Sequence, residues 1–237
     1  MKGYFIKEVG EPLALGKAVP AHYSFIIVDE NGLQIKYFEK GRGKLFYLVV
    51  IRKDLNYFQH LHPALDQKTG IFTLPNLKFP EDGEYRMLAD FIPLETSLQG
   101  LPHATAFTDF VIGSRWAPKP LGSAERTQTF GIYNVALETK PEVLQVGPAI
   151  FSFSVSVDQK PIIGLEDHLG AAGHLMVFRR DTFEYEHAVA VEIAKRDAIQ
   201  RIQFEASLRR PGVHKIFMEF KHKEKTTTCD FVISVKR

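Results

Sequence analysis

The chain repeats itself, and that limits its folds more than any other feature. Around residue 50 it reads Leu48-Val49-Val50-Ile51-Arg52-Lys53-Asp54-Leu55-Asn56-Tyr57-Phe58-Gln59-His60. Around residue 177 it reads Leu175-Met176-Val177-Phe178-Arg179-Arg180-Asp181-Thr182-Phe183-Glu184-Tyr185-Glu186-His187, 127 positions on if His60 is set against His187. A second block, Phe79 to Phe91, matches Leu208 to Phe220, with Gly83 against Gly212 and an acid before each closing Phe. Each copy then ends on Asp-Phe-Val-Ile, at Asp109–Ile112 and Asp230–Ile233. Three blocks in one order mean an internal duplication, so one fold must serve both halves. With 237 residues in all, each copy has the usual size of a domain, about 100–150 residues.

The pattern inside a copy is that of strands. Tyr85, Met87, Ala89 and Phe91 fall at period two, as do His214, Ile216, Met218 and Phe220. Phe151 to Val157 alternates apolar with Ser, the mark of a half-buried antiparallel strand. Turn clusters such as Asp29-Glu30-Asn31-Gly32, Asp66-Gln67-Lys68-Thr69-Gly70 and Asp82-Gly83 separate short runs, which predicts sandwiches. Asp82-Gly83-Glu84-Tyr85 has the form of a tyrosine corner. Val191 to Ile199 reads either as a turn of helix or as an irregular strand. The expected division is a first domain over 1–113, a linker over 114–128 rich in Pro and small residues, and a second domain over 129–237. Thr129 to Leu137 is expected as the second domain's first strand, with Tyr4-Phe5-Ile6 its counterpart.

Charge and cysteine narrow the function classes. A net charge of +2 with scattered basic residues offers no stripe for phosphates, so nucleic acid is not the expected partner. The densest run, Lys221 to Lys225, contains an acid and reads as a solvated hairpin tip. The lone Cys229 excludes a disulfide within the chain and reads as a buried thiol. No run approaches the ~18–20 apolar residues of a membrane span, and Met1 to Glu8 lacks the apolar core of a signal peptide. A soluble chain is expected.

The nine histidines are what could carry chemistry. In His60-Leu61-His62-Pro63 the two imidazoles are two apart, so on a strand they share a face and can converge on one transition metal. His103 or Asp90 is the expected third donor. The second copy keeps His187 but has Val189 at the other position, and a rearranged site from His168, His174 and His187 stands against a purely structural His187. His214, at the Tyr85 position, is expected in the core, and His22 and His222 on the surface.

The phrase Asp54-Leu55-x-x-Phe58-Gln59-His60-Leu61-His62-Pro63, followed by Gly70-x-Phe72 and by Phe79-Pro80-x-x-Gly83-x-Tyr85-x-x-x-Ala89-Asp90-Phe91-x-Pro93, resembles bacterial exported β-sandwich proteins related to YtkA-like and FixH-like domains. Leu169-Gly170-Ala171-Ala172-Gly173-His174-Leu175 is similar to the phrase that opens such a domain. The resemblance implies heavy-metal, chiefly copper, handling and a periplasmic or cell-surface location. The second copy departs from it in lacking the second His. The expected fold is all-β, two tandem Ig-like or cupredoxin-like antiparallel β-sandwich domains from an internal duplication. The expected function is non-enzymatic binding of a metal ion, copper ahead of zinc, with His60, His62, His103, His174 and His187 as candidate ligands. The alternative is a tandem β-sandwich module for protein–protein contact. Gly-x-Ser-x-Gly, P-loop and His-Glu-x-x-His motifs are all missing, which argues against an enzyme.

Overall fold

The computed structural model describes residues 3–10, 21–40, 45–97, 103–114, 116–168, 171–196 and 199–237. The chain divides into two compact units, Met1–Pro120 and Leu121–Arg237. The division falls inside the proline-bearing stretch 114–128.

The first unit holds β1 (Tyr4–Glu8), β2 (Ala21–Asp29), β3 (Gln34–Ile35), β4 (Phe38–Glu39), β5 (Phe46–Arg52), β6 (Phe58–Leu61), β7 (Ala64–Asp66), β8 (Ile71–Leu77), β9 (Gly83–Pro93), a single helical turn α1 (Leu94–Ser97) and β10 (Ala104–Ile112). One sheet runs β1-β2-β8-β7 with β3 on β2, and the other runs β10-β9-β5-β6 with β4 on β9. Their inner faces close on one core in which Phe25, Phe46, Phe72, Tyr85 and Phe91 are buried. This is the strand order of an immunoglobulin-like sandwich.

The second unit holds β11 (Thr127–Phe130), β12 (Tyr133–Lys140), β13 (Gly147–Val157), β14 (Lys160–Pro161), β15 (His174–Arg179), β16 (Tyr185–Arg196), β17 (Ile199–Leu208), β18 (Gly212–His222) and β19 (Lys225–Val235). They form one path, β11-β12-β13-β17-β16-β15-β18-β19, with β14 on β13. The path matches the first unit's two sheets, joined because β16 serves both. Its first half pairs with β15 and its second half with β17, with the register shifting between Ala190 and Glu192. A bulge is the usual device where a strand turns from one sheet to another. In the first unit Pro63 follows His62 where Ala190 follows Val189, and proline has no N–H for the ladder. One strand there becomes two, with β6 on β5 and β7 on β8.

The repeat extends to single rungs. Val49 pairs with His60 on one side and Leu88 on the other. Met176 pairs with His187 and Phe217 in the same way. Arg52 faces Tyr85, and Arg179 faces His214. The Tyr85 hydroxyl donates to the Glu81 carbonyl at 2.8 Å, the bond of a tyrosine corner. His214 takes that place in the second copy and is buried, with Nδ1–H donating to the Gly212 carbonyl at 3.2 Å. Burial holds the His214 ring below its ordinary value near 6.5, partly offset by the Gly212 bond. A group with a depressed folded pKa costs nothing above its unfolded pKa and destabilises as pH falls through the window below it. His214→Phe is therefore expected to lose less stability than wild type between pH 7 and 5, as read by urea unfolding at each pH.

Of the two readings left open for Val191 to Ile199, the strand holds for Val191 to Arg196 and for Ile199, while 197–198 lie outside the described residues. Two expectations are corrected. Thr129 to Leu137 is not one strand, because Gly131 at φ +62° turns the chain and makes it a hairpin of β11 and β12. His222 is buried rather than on the surface, its Nδ1 hydrogen-bonded to the Tyr133 hydroxyl at 3.0 Å. The tip beside it is a tight turn in which Lys223 and Glu224 both have positive φ.

Candidate metal centre

Alternation along β5 sends Phe46, Leu48 and Val50 into the core and Tyr47, Val49 and Ile51 to the opposite face. His60 stands on β6 beside Val49, and His62 lies one residue beyond the strand end. Their ring centroids are 4.7 Å apart with planes at 58°. Two imidazoles on one tetrahedral ion, each bound at about 2.0–2.1 Å, would bring their centroids to about 5 Å. The two rings therefore lie in contact, at a separation that two imidazoles on one ion would also take. Tyr47 flanks both, its ring stacked on His60 and edge-on to His62, with both centroids at 5.7 Å.

Tyr47 lies opposite Asp90 on β9. Asp90 is buried, and its Oδ1 accepts from Nδ1–H of His103 at 3.0 Å, just before β10. The two suggested third donors thus bind one another. The carboxylate that holds His103 is equally placed to orient it.

In the second unit His174 opens β15, fully buried, opposite Glu219 on β18. Its Nε2–H donates to the His168 carbonyl at 2.9 Å, and the two rings lie 5.5 Å apart. His187 stands on β16 opposite Met176, and its side chain lies outside the described residues. Leu169 and Gly170 are outside them as well. Gly173 is required here, since a Cβ would come within 2.5 Å of the Glu219 carbonyl oxygen.

Glu219 and Tyr47 belong with these histidines but were not singled out from the sequence. A signal existed for the acid. Asp90-Phe91 and Glu219-Phe220 recur at one place in the repeat, and a strand that turns its Phe into the core turns the preceding acid away from it. Tyr47 and His174 likewise occupy one position of the repeat, each facing that acid.

Cys229 is fully buried, and burial first, then the charges of Asp230 and Glu219, push its thiol far up. A thiol so held is neither nucleophile nor ready ligand. Asp54 accepts from Nε of Arg52 at 2.9 Å. No helix among the described residues is long and apolar enough to cross a membrane.

No curated protein matches this chain. Among solved structures, a DUF4426 family protein from Pseudomonas aeruginosa is 13% identical over 47% of this chain and 97% of its own, with a TM-score of 0.36. A chimeric titin Z1Z2-Z1Z2 tandem is 12% identical over 98% and 100%, at 0.22. Fibronectin(III)-like modules of Clostridium thermocellum CbhA are 9% identical over 98% and 94%, at 0.23. Scores this low leave the fold to rest on the strand order above. The family model of a domain of unknown function, DUF8832, matches residues 3–108 and 127–237, and the chain belongs to that family.

Proposed function

We propose that this chain is a non-enzymatic binding protein whose first immunoglobulin-like domain holds a transition metal ion, copper ahead of zinc, at His60 and His62. The observation that carries this is the 4.7 Å approach of the two rings beside Tyr47. Pro63 ends the ladder one residue after His62, which frees that residue from strand geometry to turn toward His60. Imidazole suits copper and zinc alike, and four methionines in the whole chain form no soft tract for copper(I), which favours copper(II). The similarity of residues 54–93 to exported copper-handling sandwiches belongs to the same proposal. A bound ion would be held as cargo or as a structural link, with the chain supplying the imidazoles and the aromatic wall.

Isothermal titration of Cu2+ into the full chain tests this. Replacing both histidines by alanine is expected to weaken binding at least about 100-fold, or roughly 2.7 kcal/mol. Unchanged affinity in H60A/H62A would overturn the assignment. A second reading, a protein-contact module, is favoured by edge strand β10, which exposes Phe107 (55%) and Val111 (70%).

A further inference from the structure

We infer that the open end of the second sandwich binds a small monocarboxylate with an apolar tail, between the β11–β12 hairpin and β19. A groove of about 430 Å3 lies there, lined by Phe130 to Tyr133 and by Lys225 to Thr228. That is within the size range of small-molecule sites. Its floor is closed where Phe130 meets Phe231 edge-on, with centroids 5.8 Å apart, and where Gln128 Nε2 donates to the Asp230 carbonyl at 3.3 Å.

The carboxylate is called for by Lys225. Along β19 the side chains of Lys225, Thr227, Cys229, Phe231 and Ile233 share one face, and the last three are buried in the core. Lys225 and Thr227 continue that core-facing row into the groove, so a cation and a hydroxyl stand where the row below is closed. Lys225 is exposed and forms no ion pair with any described residue. The charges around it favour an anion. Lys221 and Glu166 pair at 3.2 Å, and Glu166 also accepts the Glu224 amide at 2.8 Å. Lys223 and Lys225 then stand against Glu224 alone. β19 ends the strand path, so its outer edge adds backbone donors.

The tail is called for by Ile132, which is 64% exposed. It is the second residue of the two-residue β11–β12 turn, after Gly131 at φ +62°. Such a turn asks for glycine at its first position and for nothing apolar at its second. Beside Phe130 and the Tyr133 ring, Ile132 completes an apolar wall. The Tyr133 hydroxyl is engaged by His222 at 3.0 Å, which leaves that wall apolar. A bare inorganic anion would leave the wall unused, and a neutral hydrocarbon would leave Lys225 unmatched. A carboxylate with a tail uses both.

The test is titration of the full chain, without added metal, with hydrocinnamate and with its uncharged amide, followed by amide chemical shifts. Hydrocinnamate is expected to shift residues 130–133 and 225–228, with a dissociation constant of about 1 mM. The amide should bind about 5-fold more weakly, the worth of one charged contact at an exposed rim. Lys225→Gln should weaken the acid by the same factor and leave the amide unchanged. Ile132→Ser should weaken both. Both positions are exposed, so neither change threatens the fold, and unperturbed shifts elsewhere check this. No shifts in the groove by about 10 mM, equal binding of acid and amide, or full affinity in Lys225→Gln would each overturn the inference. With no metal added, it fails separately from the copper assignment.

Discussion

Asp54→Ala is expected to lower the stability of the protein by about 3–5 kcal/mol, the cost of leaving a buried cation without its partner. Arg52 is 3% exposed, and its Nε donates to Asp54 Oδ1 at 2.9 Å. The same carboxylate accepts the Asn56 amide at 3.0 Å and the Lys119 amide at 3.0 Å, so it also organises the turn after β5 and anchors the end of the unit. Glu81 remains as a second partner of Arg52, but it is half exposed. In the second copy the equivalent pair, Arg179 and Asp181, lies 2.9 Å apart with the Asp181 side chain 62% exposed. Asp181→Ala should therefore cost about 1 kcal/mol or less. Burial alone would raise the Asp54 carboxyl, but the Arg52 bond, the two amides and the Arg52 charge together bring it below the ordinary carboxylate range. A depressed folded pKa gives stability that is complete above the unfolded value near 3.9 and is lost as pH falls through the folded value. Urea unfolding should show the gap between wild type and D54A closing only below about pH 4. A gap unchanged down to pH 2 would contradict this.

Phe72→Ala is expected to cost a similar amount, about 3–5 kcal/mol, for a different reason. The ring is fully buried, stacked on Phe25 at 5.1 Å, 4.2 Å from Phe46 and 5.3 Å from Phe38. Its removal opens a cavity where both sheets meet and ends three aromatic contacts at once. Against a total of about 5–15 kcal/mol, the loss should lower Tm by about 10 °C or more. Phe107→Ala removes a ring of the same size that is mostly exposed, with the Arg86 guanidinium 4.2 Å from its centroid. It should cost about 1 kcal/mol or less. Equal costs at the two positions would deny the core its place.

The duplication is legible in the bare sequence because it is written in side chains that face inward or end a turn. Leu48, Val50, Tyr85 and Phe91 repeat as Leu175, Val177, His214 and Phe220, and the ladder registers follow them. What escaped was set by tertiary context. Whether Thr129 to Leu137 runs straight depended on one glycine taking positive φ. Whether residues 185–196 make one strand or two depended on tolerating a bulge where the first copy has Pro63. His222, in a charged run, is buried because Tyr133 from a distant hairpin reaches it. The contact of the His60 and His62 rings was not given by strand alternation alone, since His62 lies past the end of β6. Glu219 came to face His174 through the pairing of β15 with β18, which no local spacing encodes.

The most direct measurement on the central claim is the electron paramagnetic resonance spectrum of the full chain with one equivalent of Cu2+. Coordination by His60 and His62 predicts nitrogen superhyperfine splitting from two imidazoles, lost in H60A/H62A. A spectrum of solvated copper in the wild type, or the same nitrogen splitting in the double variant, would contradict it.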